Sequence, residues 1–139
     1  MLRLIALMVS ALISSGCSDN GQIKSAWAEK SADNNVVVHV GIAGRDAEFI
    51  KRNQIYFSIV LNECSGNGRR FPMEPMIGGR RASDFNFNIS NTTETDVVAV
   101  GPFWVVKGYH KPCVLLEGGG YAGARLKSKQ VPLVIRGIG

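Results

Sequence analysis

Short runs in which apolar side chains recur at every second position dominate this chain from residue 36 onward, and they constrain its fold more than any other feature. Val36-Val37-Val38-His39-Val40 is β-branched apart from its histidine. Ile55, Phe57, Ile59 and Leu61 alternate with Tyr56, Ser58 and Val60, and Asp84-Phe85-Asn86-Phe87-Asn88-Ile89 alternates strictly. A period of two belongs to a pleated strand, whereas a helix repeats its apolar stripe every ~3.6 residues. Further strands are predicted at 97–100, 103–106, 113–117, 124–128 and 131–136, and Pro132 restricts the pairing of the last one. One helical segment, 45–52, joins the first two strands. Sixteen glycines and five prolines supply the turns. The pattern predicts an all-β domain over residues 35–139: an antiparallel β-sandwich, immunoglobulin-like or transthyretin-like, or else a small barrel. At 139 residues the chain is long enough for one such domain and too short for a multidomain enzyme.

The first residues read as an address. Arg3 precedes an apolar run from Leu4 to Ile13, followed by Ser14, Ser15 and Gly16. A basic start, a short apolar stretch and a small-residue region make up a secretory signal, and the run is shorter than the ~20 residues a bilayer-spanning helix needs. Ala26-Trp27-Ala28 offers an A-x-A cleavage site but lies far beyond the apolar run. Ile13-Ser14-Ser15-Gly16-Cys17 resembles the lipobox of bacterial lipoproteins, with Ser14 where that family favours leucine. The resemblance implies removal of the signal peptide 1–16 and acylation of Cys17, palmitate included. With Ser18 next, it also implies delivery to the outer membrane, on its periplasmic side. Several acyl chains on one residue give stable anchoring. Residues 17–34, small and polar, are expected to form the lipidated N-terminus and a flexible tether.

After export two cysteines remain, Cys64 and Cys113. An even pair in an oxidising compartment predicts one disulfide, which next to Trp104 would echo the bridge and buried tryptophan of immunoglobulin-like sandwiches. A zinc site drawn from His39, Cys64, His110 and Cys113 competes with the disulfide, but no C-x-x-C pair supports it and no metal ligands are assigned.

Catalytic motifs are scarce. Gly118-Gly119-Gly120-Tyr121-Ala122-Gly123 satisfies G-x-G-x-x-G, yet Ala124-Arg125-Leu126-Lys127 leads into a strand rather than a helix, and no acidic residue follows Glu117. There is no G-x-S-x-G. His39 sits within a strand, and His110 lies in a loop beside Lys111. The expectation is a non-enzyme without a cofactor and with no catalytic residue.

Charge marks the binding candidates. Between Lys51 and Arg81 six cations (Lys51, Arg52, Arg69, Arg70, Arg80 and Arg81) face only Glu63 and Glu74. Two Arg-Arg pairs bracket Phe71, Met73 and Met76 in a loop stiffened by Pro72 and Pro75, a composition typical of interfaces. Tyr121, in the glycine-rich turn, is a second candidate. Partner-binding residues are therefore expected at Arg69, Arg70, Phe71, Arg80, Arg81 and Tyr121. The partner is a membrane reached through the N-terminal lipid, together with an envelope protein or an acidic cell-wall component. Export argues against nucleic acid despite a pI near 9.4. Two functions remain open. One is a binding module that docks another envelope protein, an outline shared with small secretion-system lipoproteins. The other is an inhibitor or immunity protein that blocks a cell-wall hydrolase. Gly118–Ala124 is faintly similar to the inserting loop of periplasmic lysozyme inhibitors but lacks its Ser-Gly pattern.

Overall fold

A computed structural model describes residues 18–19, 21–89 and 94–137. The expected signal peptide, 1–16, and Cys17 lie outside the described residues. Two packed sheets form a β-sandwich with one disulfide, Cys64–Cys113. The strands in chain order are β1 Ser18–Asp19, β2 Ile23–Lys30, β3 Asn35–Ile42, β4 Tyr56–Glu63, β5 Phe71–Met73, β6 Met76–Ile77, β7 Arg80–Arg81, β8 Thr95–Pro102, β9 Pro112–Gly119, β10 Arg125–Lys127, β11 Val131–Pro132 and β12 Val134–Arg136. Helix α1, Gly44–Arg52, follows β3, and the short α2, Phe103–Lys107, follows β8. One sheet runs β1-β10-β9-β4-β5, with β11 on β9 beside β10; the other runs β12-β2-β3-β8-β6-β7. Pairing is antiparallel except at β1–β10 and β12–β2, which are parallel.

The period of two explains the core. Val36, Val38, Val40 and Ile42 of β3 and Val97 and Ala99 of β8 point inward from one sheet. They meet Phe57, Ile59 and Leu61 of β4, Val114 and Leu116 of β9, and Leu126 of β10. Each large side chain removed from water in this way contributes about 1.5–3 kcal/mol. The α1 helix closes one end of the sandwich with Ala47 and Ile50 buried, while Arg45, Lys51 and Arg52 stay exposed. At the opposite end α2 buries Phe103, Val105 and Val106. The molecule therefore has two poles. The α1 pole also holds the turn after β9, where the Tyr121 N–H donates to the Asn53 carbonyl at 3.2 Å. The α2 pole holds the disulfide. β9, eight residues long, spans the distance between them, about 25 Å at the strand rise.

Several expectations change. Residues 23–30, assigned to a flexible tether, form β2, which pairs with β3 from Ile23–Ile42 to Lys30–Val36. Apart from Ile23 at its start, its inward side chains are small, with Ala28 alone fully buried, and Trp27 points outward, so no apolar alternation marks it. Segment 103–106 is helical rather than extended. Pro102 precedes the helix, the Phe103 N–H bonds to the Asn34 carbonyl, and the inward set Phe103, Val105 and Val106 suits one helical turn. Residues 84–89 do not pair as a strand. A 3-10 turn at Ala82–Asp84 passes into Phe85 with φ 52°, although Phe87 is buried and Asn86 and Asn88 face water as the alternation requires. The terminal segment splits at buried Leu133, so that β11 joins one sheet and β12 the other. The immunoglobulin analogy also fails in detail. The disulfide joins Cys64, just past the end of β4, to Cys113 near the start of the neighbouring β9, so it ties strand ends of one sheet rather than two sheets, and Trp104 is exposed. The closed loop of about 50 residues still removes roughly 4 kcal/mol of chain entropy from the unfolded state.

Candidate functional site

The α2 pole assembles a cleft from two distant parts of the chain. The chain leaves β4, makes the disulfide at Cys64, and returns through Arg69 and Arg70 into β5. Across from it, α2 delivers Trp104 and leads through Gly108 into Tyr109. Polar contacts fix this frame. Both oxygens of Glu63 accept backbone N–H groups, from His110 at 2.8 Å and from Lys111 at 2.7 Å. The Cys64 N–H donates to the Lys111 carbonyl at 2.9 Å, and the Gln130 amide bridges the Cys64 carbonyl and Asn62. Tyr109 stitches the basic loop down. Its hydroxyl donates to the Arg69 carbonyl at 2.7 Å, with the Leu61 carbonyl 3.2 Å away. Burial, and secondarily the Glu63 carboxylate nearby, push the Tyr109 phenol above its ordinary range.

The resulting cleft has a volume of about 400 Å³ and is lined by Arg69, Arg70, Phe71, Trp104, Tyr109 and Glu63. The Phe71 and Trp104 rings meet edge-to-face, 6.5 Å apart at 71°. The indole is 63% exposed. Lys30, Lys107 and Lys111 are exposed at the same pole, and the Lys30 ammonium lies 4.8 Å from the centre of the Phe103 ring. Because Glu63 is already engaged by two amides, it is poorly placed to pair with the arginines. Open aromatic faces beside guanidinium groups suit an anionic, partly apolar surface, since both side-chain types concentrate binding energy at interfaces.

The candidates from the sequence are distributed unevenly. Arg69, Arg70 and Phe71 line the cleft, and Arg70 also reaches over the outer face of the β4–β9 sheet to Glu117, 2.6 Å away. Arg80 and Arg81 form β7 at the edge of the other sheet, and Arg81 pairs with Glu74 at 3.4 Å. The expected single basic loop is thus cut by β5, β6 and β7, with Met73, Pro75 and Ile77 buried. Tyr121 sits at the other pole, 73% exposed. The G-x-G-x-x-G segment runs as the end of β9 and a 3-10 turn into β10, with no helix starting there. Sequence reasoning missed Trp104 and Tyr109 as cleft residues, because nothing local announces that β8 and α2 bring them to Arg69.

Chemistry elsewhere is sparse. His39 lies on the outer face of the second sheet, stacked on Trp27 at 4.0 Å, and its ring nitrogens face Asp96 and Glu29. The Arg136 guanidinium covers the Trp27 ring, 4.5 Å from its centre. Among the described residues, no group of three or more His, Cys, Asp or Glu side chains could hold a metal ion. No helix among them is long and apolar enough to cross a membrane. No protein-family model, no curated protein and no solved structure matches this chain.

Proposed function

We propose that this chain is a non-catalytic binding module of the bacterial cell envelope. In this reading acyl chains on Cys17 hold it on the periplasmic side of the outer membrane. The Trp104–Arg69 cleft docks an acidic, partly apolar patch on another envelope protein. The observation that carries the reading is Trp104, left 63% exposed beside Phe71 and two arginines, on a frame where Tyr109, Glu63 and the disulfide hold the surrounding backbone. A tryptophan held in water contributes little to folding, while a preorganised indole loses little entropy when a partner covers it.

Charge reversal tests the reading. Arg69→Glu with Arg70→Glu is expected to leave the fold intact, since both side chains are exposed and the Arg70–Glu117 pair contributes at most about 1 kcal/mol. The double variant is expected to release the partner that co-purifies with the wild-type protein from detergent-solubilised envelopes. Full retention of the partner by the folded variant would refute the docking site.

One observation favours the inhibitor reading. Tyr121 projects from a turn in which Ala122 and Gly123 hold φ values of 53° and 76°, a shaped and exposed loop that could enter another protein's cleft. In that case Tyr121→Ala, and not the double arginine variant, abolishes hydrolase inhibition.

A further inference from the structure

The described chain begins at the α1 pole. β1 pairs in parallel with β10, Ser18 opposite Arg125, so the described chain enters the fold beside Arg125 and the 121–123 turn. Little slack follows. Gly21 is buried, with Leu126 and Asp46 against it, and the Gln22 N–H donates to the Asp46 carboxylate in the first turn of α1 at 3.2 Å. Ser18, the start of β1, is thus held at this pole. The apolar run Leu4–Ile13 and Cys17 both lie on the N-terminal side of that entry point. Either anchor, the acylated cysteine or the apolar run itself, joins the described fold through Ser18.

Arginines stand around that entry point. The α1 helix exposes Arg45 and Arg52 against one exposed acid, Glu48; buried Asp46 lies 3.8 Å from the Arg45 guanidinium, and the Lys51 ammonium donates to the Phe87 carbonyl at 2.9 Å. Arg125 is exposed at the start of β10. We propose that the α1 pole lies against the anionic phospholipid headgroups of the membrane that anchors the chain, with Arg45, Arg52 and Arg125 facing the phosphates. The Trp104 cleft is thereby presented away from the bilayer. The proposal rests on the anchored-module reading for its membrane, and it extends that reading by fixing orientation and lipid chemistry. Each cation near an anionic surface strengthens attachment about fivefold. Exposed phosphate-facing cations are screened by salt, so the contact weakens as ionic strength rises. The same orientation turns Tyr121 toward the bilayer, a poor position for blocking a soluble hydrolase.

The test uses the full protein as purified from detergent-solubilised envelopes, with vesicles of phosphatidylcholine alone and vesicles containing phosphatidylglycerol, followed by amide hydrogen exchange. On phosphatidylglycerol, exchange across 44–53 and 120–125 is expected to slow severalfold relative to phosphatidylcholine, with 103–111 unchanged. Arg45→Glu, Arg52→Glu and Arg125→Glu together are expected to abolish that difference while the core amides of β3 and β9 stay protected. Flotation on phosphatidylcholine reports the lipid anchor separately. A chain that fails to float there, but is still protected at the α1 pole by phosphatidylglycerol, would refute the anchor and support the orientation. A chain that floats with protection at 103–111 instead, or with none at the α1 pole on phosphatidylglycerol, overturns the orientation and leaves the anchor standing.

Discussion

Tyr109 is the side chain on which the cleft most depends. Its hydroxyl bonds a carbonyl of the basic loop while its ring packs against the core, so one residue joins α2, β4 and the Arg69 segment. A hydrogen bond of this kind contributes about 1 kcal/mol net. The phenol is held above the ordinary value of 10.0 in the folded protein. Its contribution is therefore fully present below the unfolded phenol's pKa. It is lost as pH rises through the folded value, because the unfolded chain releases its proton first. Tyr109→Phe is expected to lower stability by about 1 kcal/mol at neutral pH. The variant is also expected to lose less stability than the wild type above pH 10. Urea unfolding at neutral and alkaline pH measures both, and parallel pH profiles for the two proteins would count against the role given to this hydroxyl.

Pairing between elements sets the frame on which those side chains sit, and β4–β9 is its centre. Gly118 of β9 stands opposite Phe57, where a Cβ would strike the Tyr56 carbonyl and the Phe57 backbone. Gly119, the next residue, has only the Ala124 carbonyl near its Cβ position, at an ordinary 3.6 Å. Gly118→Ala is therefore expected to cost about 1–3 kcal/mol or more in urea unfolding, and Gly119→Ala close to nothing. Equal costs would mean that this register is wrong. The same strands show what the sequence could reveal. The helix α1 and the strands β3, β4 and β9 were legible because large apolar residues alternate or fall on one helical face. β2 was hidden because it buries Ala28 and turns Trp27 outward, where the indole stacks between His39 and Arg136. α2 was hidden because Phe103-Trp104-Val105-Val106 reads as a β-branched and aromatic run until Pro102 and the bond to Asn34 fix a turn there. The cleft was half legible. Arg69, Arg70 and Phe71 stand out by charge, whereas Trp104 and Tyr109 join them only through tertiary packing. Arg80, Arg81 and Tyr121 share the composition of the cleft without sharing its place.

At the scale of the whole molecule, the sandwich separates two surfaces by the length of β9. The α1 pole gathers the start of β1 with exposed arginines, and the α2 pole gathers an open indole, two arginines and the disulfide. The proposed anchored module is served by this division, because the surface nearest the anchor is the one least able to meet a partner. The decisive measurement is photo-cross-linking in intact cells, with a photoreactive amino acid placed in turn at positions 104 and 121. The account predicts one discrete protein adduct from position 104, abolished by Arg69→Glu with Arg70→Glu, and lipid but no protein adduct from position 121. A protein adduct from position 121 with none from position 104 would contradict it.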